Sequence, residues 1–512
     1  MSRLSRTSLL LAFFFGLDKV VAVLRQLVIA RQFGLSQELD AFNVANNVPD
    51  MLFALISGGA LAIAFIPVLS EVLSKDGKPA AWNLFTRIAN LAFLVTGVLA
   101  VIVALISGPL VRAEIGIAPG FERVQQDLVA ELMRLNLVAT MIFSVSGLVM
   151  AGLQANQHFL LPAMAPLMYN IGQIFGATVL SPTPENAYNI GSFTLPALGF
   201  GVHGLVYGVI LGALLHLGIQ IPGLIHYKFR WAPAIGINTE PVRKVLRLMI
   251  PRLGNMMFIQ ATFLVRDNLA SRLESGAVSA LTYGYMIMQV PETLIGTAIG
   301  TALLPTLSEQ AARQEQDQFH ATVERAVRVL IAVTLPVAVV LSAGLRPLIE
   351  IAFGFGAQGT DLMLWVARGF LAGLIGQSVM EVAARSFYAR QNALIPLMAA
   401  GINATVYTLL GILLFRPLGA AGISLADSLA FTSQAVILIL LLNRRLPQPV
   451  RVGGTLVRAV LGSAAGGLVV LLVNTGLAGR VPLIFLGVAA LGLGGLVALP
   501  FIWKEIRLLI RL

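Results

Sequence analysis

Apolar stretches long enough to cross a bilayer follow one another along almost the whole chain. The hydrocarbon core of a bilayer is about 30 Å thick, which requires about 20 apolar residues in a helix. We identify fourteen such stretches, at residues 9–33, 41–70, 84–111, 128–154, 159–181, 201–226, 244–273, 278–308, 323–351, 362–388, 393–415, 420–443, 455–477 and 482–503. Because backbone polar groups inside lipid must be satisfied within the segment, we predict an all-α polytopic membrane protein with fourteen transmembrane helices.

Composition excludes most soluble functions. Charged residues make up 12% of the chain, about half the fraction in a typical soluble domain. The net charge is +11, but the basic residues are scattered at segment ends, so no nucleic-acid partner is expected. The chain has no cysteine and its five histidines occur singly, which argues against a metal centre. We also find no catalytic cluster, and therefore predict neither an enzyme nor a cofactor.

The distribution of basic residues predicts the orientation in the membrane. Short cytoplasmic loops carry an excess of Lys and Arg. Most of the 35 Lys and Arg residues fall on the side of the N-terminus or inside helices. We therefore predict that both termini are cytoplasmic, which agrees with an even number of helices.

The chain also repeats itself. Arg25-x5-Arg31 and Pro67-x-Leu69-Ser70-Glu71 return as Arg266-x5-Arg272 and Pro305-x-Leu307-Ser308-Glu309. The repeat predicts an N-terminal lobe at residues 1–230, with helices 1–6, and a second lobe at 231–450, with helices 7–12. Six helices per copy give both lobes the same orientation, so we expect a pseudo-twofold axis along the membrane normal. Residues 451–512 add two further helices, a candidate groove for a lipid tail.

A polar stripe opens the second predicted helix. Asp40, Asn43, Asn47 and Asp50 are spaced three, four and three residues apart, which places them on one helix face. Such a face is too costly to expose to lipid. Two interpretations remain open: hydrogen bonding between helices, or the wall of a watery cavity.

Two arginines lie at matched depth in the first and seventh predicted helices. Asp18 shares a face with Arg25, and Arg252 lies roughly on the face of Arg266. A guanidinium group suits phosphate or carboxylate oxygens. We predict that Arg25 and Arg266 flank a central cavity between the lobes and bind an anionic group, with Lys19 and Arg252 along the cytoplasmic approach.

The predicted substrate-binding set is therefore Arg25, Arg266, Arg252, Lys19, Asp40, Asn43 and Asn47. Candidate ion-coupling or gating residues are Asp18, Asp267 and Asp427. In the alternative interpretation, each arginine is neutralised by a carboxylate such as Asp18, Asp40 or Glu381.

Five motifs spread along the chain occur together in one known family. They are Arg25-x5-Arg31-x-Phe33-Gly34, Asp40-Ala41-Phe42-x-Val44-Ala45, Gly59-Ala60-x4-Phe65-x-Pro67-x2-Ser70-Glu71, Gly300-Thr301-x-Leu303-Leu304-Pro305-x-Leu307-Ser308 and Phe387-Tyr388-Ala389-Arg390-Gln391. In this combination the chain resembles the MurJ (MviN) lipid II flippases of the multidrug/oligosaccharidyl-lipid/polysaccharide exporter superfamily. The resemblance extends over essentially the whole sequence.

The resemblance implies a flippase of the bacterial cytoplasmic membrane that works by alternating access. Its substrate would be lipid II, a polyprenyl-diphosphate-linked glycan, and its surroundings membrane lipids. The family's cavity arginine on the first helix maps onto Arg25. The last two helices of the family form an apolar groove for the polyprenyl tail. We expect the protein to act as a monomer.

The sequence departs from the family pattern at several charged positions. Gln26 replaces the acidic residue that usually follows the first-helix arginine, and Phe53 and Met286 stand where the family has arginines. Gln289 stands where the family has a glutamate. Two alternatives therefore stay open: a flippase for another polyprenyl-diphosphate-linked glycan, or a cation-coupled small-molecule exporter with an acidic cavity.

Overall fold

The computed structural model describes residues 3–58 and 60–509. Within these ranges the side chains of residues 3–12, 57, 58, 60, 62, 63, 190, 250–252, 255 and 509 lie outside the description. The chain forms two compact units, Met1–Asn268 (unit 1) and Leu269–Leu512 (unit 2).

Unit 1 is helical apart from one small hairpin. Its helices are α1 (Arg3–Phe33), α2 (Gln37–Phe53), α3 (Ala60–Lys75), α4 (Gly77–Arg112), α5 (Arg123–Ala155), α6 (Leu160–Phe175), α7 (Val202–Gly218), α8 (Ile221–His226) and α9 (Glu240–Ala270), the last ending just inside unit 2. Wider π-helical turns occupy Ala54–Gly58 and Gly176–Leu180, and a 3₁₀ turn occupies Pro184–Asn186. The antiparallel strands β1 (Asn189–Ile190) and β2 (Phe193–Thr194) lie in the connection between α6 and α7.

The regular elements of unit 2 are all helices in its described residues. Its helices are α10 (Ala277–Pro291), α11 (Ala298–Ala312), α12 (Gln316–Gly344), α13 (Arg346–Phe353), α14 (Ala357–Leu371), α15 (Leu374–Ala389), α16 (Leu394–Asn443), α17 (Gly453–Leu477) and α18 (Leu483–Leu509). A π-helical stretch, Glu292–Thr297, joins α10 directly to α11.

The predicted all-α membrane fold is confirmed. In the described part of the chain, nine helical stretches are long and apolar enough to cross a membrane. The other predicted spans fall on α1, α2 with α3, α6 and α9. Of these helices, α2, α3 and α6 have 17, 16 and 16 residues, and α1 and α9 carry several charged residues.

Several predicted spans have different bounds in the structure. The predicted spans 393–415 and 420–443 join as α16, whose one non-helical residue is Gly419, with a φ of +58°. Pro417 cannot donate a backbone hydrogen bond, and glycine accepts positive φ at little cost, so the chain turns there without a separate loop. The predicted span 41–70 is divided by the π-helical turn Ala54–Gly58.

The core of unit 1 packs α3, α4 and α5 around aromatic side chains. Trp82, Phe85 and Phe229 meet edge to face, with ring centroids 5.1–5.5 Å apart, a favourable geometry for aromatic rings. Between α6 and α7 the backbones themselves approach closely. A Cβ atom on Gly208 would lie 2.8 Å from the Gly176 Cα atom, so only glycine fits this part of the seam.

The core of unit 2 packs α12 against α15, α17 and α18. Phe319 and Phe387 are fully buried. Deeper along α12, Val340 packs with Val470 of α17 and Ala490 of α18. Close packing of small and branched side chains thus holds the last two helices against α12.

Candidate functional site

Arg25 of α1 reaches a neutral amide on α6. Its Nη1 donates a hydrogen bond to the Asn170 side-chain oxygen at 2.9 Å. The Asn170 amide nitrogen donates to the Asp18 carboxylate at 2.8 Å. Asn170 therefore lies between a positive and a negative side chain. Arg25 makes no ion pair within the part of the chain whose side chains are described.

Helix geometry explains why Asp18 and Arg25 share this partner. Seven residues are close to two helical turns, so both side chains leave α1 on one side. Asn170 is 4% exposed and Asp18 is 9% exposed. A buried carboxylate and a buried amide each need hydrogen bonds, and the chain Arg25–Asn170–Asp18 supplies them. The buried Nε of Arg25 has no hydrogen-bond partner among the described residues, so donor capacity remains.

Tyr169 and Asp50 complete the surroundings of Arg25. The guanidinium carbon of Arg25 lies 6.0 Å from the centre of the Tyr169 ring. Asp50 of α2 is exposed, and its charge lies close enough to Arg25 for the two to attract each other. The site thus combines the Arg25 guanidinium on α1, which has unused hydrogen-bond donors, with the exposed carboxylate of Asp50 on α2.

Arg266 lies in a different electrostatic setting. Its Nε donates to the Asp267 carboxylate at 2.9 Å, and its guanidinium lies 5.0 Å from the centre of the Phe263 ring. Asn47 of α2 donates to the other oxygen of Asp267. Asp267 is fully buried, so this carboxylate neutralises Arg266 and joins α2 to α9.

The other predicted residues are spread more widely. Asp40 is buried and Asn43 is half-buried on α2, and Lys19 is exposed on α1. Arg252 lies outside the residues whose side chains are described. Asp427 is half-buried on α16 of unit 2. In the same unit Glu381 pairs with Arg385 at 2.5 Å.

Sequence reasoning missed Asn170 and Tyr169. Both lie in α6, whose other residues are almost entirely apolar. Asn170 could have been identified from the sequence, because an amide in the middle of an apolar span needs a hydrogen-bond partner inside the protein. Within the described residues, no three His, Asp or Glu side chains form a group suited to hold a metal ion.

The arrangement favours anion binding at Arg25 over Arg266. A guanidinium hydrogen-bonded to a neutral amide keeps its full charge, whereas one bonded to a carboxylate is already compensated. An anionic ligand at Arg266 would compete with the carboxylate bonded to it, Asp267. At Arg25 it would displace only a neutral amide, although Asp50 lies nearby.

Comparison with known proteins gives a consistent result. A family model described as "Lipid II flippase MurJ" matches residues 29–492. The "Lipid II flippase MurJ" of Burkholderia cenocepacia is 30% identical over 454 residues, covering 86% of this chain and 84% of that protein. The "Probable lipid II flippase MurJ" of Thermotoga maritima is 26% identical over 493 residues, covering 95% and 94%.

Solved structures share the fold. A structure titled "Lipid II flippase MurJ, inward closed conformation" has a TM-score of 0.79 at 21% identity, covering 98% of this chain and 100% of that chain. A multidrug resistance MATE family transporter titled as inward-facing has a TM-score of 0.66 at 14% identity, covering 84% and 94%. An outward-facing MATE structure has a TM-score of 0.57 at 13% identity, covering 85% and 94%.

Proposed function

Because the chain belongs to the lipid II flippase MurJ family, we propose that it moves lipid II from the inner to the outer leaflet of the bacterial cytoplasmic membrane. The movement proceeds by alternating access, with no chemical change to the substrate. Both termini lie on the cytoplasmic side, and the protein acts as a monomer. MATE transporters of the same fold have inward-facing and outward-facing structures, which supports alternation as the mechanism.

One observation carries the proposal for the headgroup: Arg25 is bonded to the neutral amide of Asn170. A lipid diphosphate carries about two negative charges, and moving it through hydrocarbon without compensation is very costly. A charged guanidinium with free donors lowers that cost and suits the paired oxygens of a phosphate. We assign Arg25 as the primary ligand of the diphosphate.

Arg266, Asp267 and Asn47 have a different role in this proposal. Their buried pair links α2 to α9, so it controls the packing of helices that also carry the site. Asp18 and Asp267 are thus gating residues rather than ligands, because each holds a polar partner inside the helix bundle.

Asp40 and Asn43, with Asn47, form the polar face of α2 toward the interior, and Lys19 and Arg252 attract the headgroup from the cytoplasmic side. Asp427 remains a candidate ion-coupling residue of unit 2.

The last two helices supply the tail groove. Several large apolar side chains on α17 and α18 are more than half exposed, among them Leu468, Leu472, Phe485 and Val488. Exposed apolar surface of this extent marks contact with lipid or with an apolar ligand. We assign it to the polyprenyl chain, which stays in lipid while the headgroup crosses.

Phe53 favours a second candidate substrate, a polyprenyl-diphosphate-linked glycan other than lipid II. This residue stands where the family has an arginine, and it packs against Phe143 with ring centroids 5.3 Å apart. One expected cation is therefore replaced by an aromatic pair. A flippase for another polyprenyl-diphosphate-linked glycan accommodates this change, because glycan contacts vary while the diphosphate stays the same.

Complementation tests the proposal. Cells depleted of their own lipid II flippase would express the wild type, Arg25→Ala, Arg25→Lys or Arg266→Ala, with Arg123→Ala as a surface control of equal charge change. We expect growth with the wild type and the control, loss with Arg25→Ala and partial growth with Arg25→Lys.

The outcomes separate substrate from site. If the inserted wild type does not restore growth, lipid II is not its substrate, and assays with other polyprenyl-diphosphate glycans follow. If the wild type and Arg25→Ala restore growth equally, Arg25 does not bind the headgroup.

A further inference from the structure

Arg134 is an exposed arginine of unit 1. It lies on α5, eleven residues after the helix begins at Arg123, which corresponds to about 16 Å along the axis. Its side chain is exposed, and the neighbouring Leu105 of α4 is 77% exposed. A surface this apolar on two spanning helices faces lipid, and an arginine there is costly unless an anion or water meets it.

The contacts of Arg134 fix its guanidinium without neutralising it. Its Nε donates to the Ala104 carbonyl oxygen at 3.1 Å and to Ser107 Oγ at 2.9 Å. No carboxylate lies within ion-pair distance of Arg134 among the described side chains. Both recorded partners are neutral oxygens on α4, so the two terminal nitrogens stay available to an anion.

The nearby carboxylates already have partners. Asp127 pairs with Arg112 and lies 3.9 Å from Arg123, and Glu131 lies 3.2 Å from His203. Arg112, Arg134 and these two carboxylates line one cavity, and each carboxylate has a partner other than Arg134. Arg134 is therefore the arginine of this cavity whose guanidinium has no carboxylate partner among the described side chains.

Two cavities meet at Arg134. The first, of about 610 Å³, contains charged side chains and is lined by Leu105, Gly108, Pro109, Arg112, Asp127, Ala130, Glu131 and Arg134. The second, also about 610 Å³, is an apolar groove that runs deeper between α4 and α5 along residues such as Gly97, Val98, Val101, Leu137 and Val138. Arg134 lines both. A charged pocket that continues into an apolar groove matches an amphiphile with an anionic head.

We propose that this surface binds an anionic phospholipid. The phosphodiester accepts hydrogen bonds from the Arg134 guanidinium, and one acyl chain lies in the groove between α4 and α5. The free terminal nitrogens of Arg134 select the phosphate, and the apolar lining selects the chain. With the predicted orientation, the connection between α4 and α5 lies outside the cytoplasm, so the lipid comes from the outer leaflet. The site is independent of lipid II transport at Arg25.

Native mass spectrometry of the full-length protein tests the proposal. The protein, purified in detergent, would be titrated with phosphatidylglycerol and with diacylglycerol of the same chains. We expect one phosphatidylglycerol to bind about tenfold more tightly than diacylglycerol, because a charge-assisted hydrogen bond is worth about that factor. Arg134→Gln should abolish the difference, and Arg134→Lys should keep part of it. Arg123→Gln, which removes the same charge outside both cavities, should bind as the wild type does.

A second pair of variants tests the groove. Val101→Trp fills it, whereas Val95→Trp makes the same change on α4 outside it. We expect Val101→Trp to weaken binding of both lipids and Val95→Trp to leave both unchanged. The proposal fails if Arg134→Gln binds phosphatidylglycerol like the wild type, or if it weakens both lipids equally. It also fails if a polyprenyl phosphate binds in an Arg134-dependent way while phosphatidylglycerol does not.

Discussion

The Arg25 guanidinium donates its 2.9 Å hydrogen bond to the Asn170 amide, not to a carboxylate. The amide nitrogen of Asn170 in turn donates a hydrogen bond to Asp18, so Arg25 and Asp18 are linked through the amide. A direct pair would leave little attraction for an incoming anion, whereas the amide bridge fixes the side chain and preserves its charge. The first prediction follows from this bridge.

Asn170→Asp should inactivate the protein. The new carboxylate has almost the same shape as the amide, but it pairs directly with Arg25. Because an ion pair replaces a bond to a neutral acceptor, transport should fall about tenfold or more. Rescue of flippase-depleted cells measures this effect. Asn189→Asp, in the exposed β1–β2 hairpin, is the matched control, and adding Asp18→Asn to Asn170→Asp should restore part of the activity. Full activity of Asn170→Asp alone would contradict the bridge.

Asp267→Asn should destabilise unit 1. Asp267 is fully buried and compensates Arg266, and removing one charge of a buried pair costs about 3–5 kcal/mol. Thermal unfolding of the purified protein in detergent measures the loss. Asp361→Asn breaks the exposed pair with Arg346 and should cost about 1 kcal/mol or less. Equal losses in the two variants would show that burial of the first pair has no energetic weight.

Low pH should weaken the contact between α3 and α9. Lys244 and Lys75 hold Glu71 at 2.6 and 2.8 Å and lower its pKa to about 2 from 4.5. A pKa lowered by folding stabilises the folded state above the unfolded value, and this stabilisation is lost as the pH falls from about 4.5 toward 2.

The melting temperatures of the wild type and Glu71→Gln measure this effect. Their difference should be constant near neutral pH and should shrink below pH 4.5. Glu309→Gln is the control, since the partner of Glu309 is Arg313, directly after the end of its own helix α11. A difference that stays constant down to pH 3 would rule out the ion pair as its cause.

Gly208→Ala should destabilise the α6–α7 seam. Its Cβ atom would lie 2.8 Å from the Gly176 Cα atom, so the backbones must separate, at a cost of about 1–3 kcal/mol. Gly218→Ala is the control on the same helix, because no atom lies within 4 Å of that Cβ position. There alanine should leave stability unchanged or improve it by about 1 kcal/mol. Unfolding temperatures of the two variants in one detergent decide between these outcomes.

Sequence patterns predicted the helical fold because a chain segment that crosses lipid must satisfy all its backbone hydrogen bonds internally. Long apolar runs in a bilayer have to be helices, and the helices of both units follow them. The bounds were harder to predict. Nothing local distinguishes a loop at Pro417–Gly419 from a kink inside one helix such as α16, since both use proline and positive φ in the same way.

The candidate site was predictable only in part. Arg25 and Asp18 share a face of α1 by simple helical spacing, so their proximity could be anticipated. Asn170 comes from 145 residues further along the chain, and no periodicity relates it to Arg25. Arg266 and Asp267 are adjacent in sequence, and helical spacing gave no reason to pair them. Their contact depends on a long, flexible arginine side chain folding back along α9 beside Asn47.

The π-helical stretch Glu292–Thr297 changes how α11 should be read. Each wide turn inserts one residue beyond the α-helical count, which rotates everything after it by about 100° about the axis. Side chains of α10 and α11 that would lie in line on an uninterrupted helix therefore project in different directions. A helical wheel that treats Tyr283 and Leu307 as parts of one uninterrupted helix assigns Leu307 to the wrong face. Variant libraries should therefore be designed separately for α10 and α11.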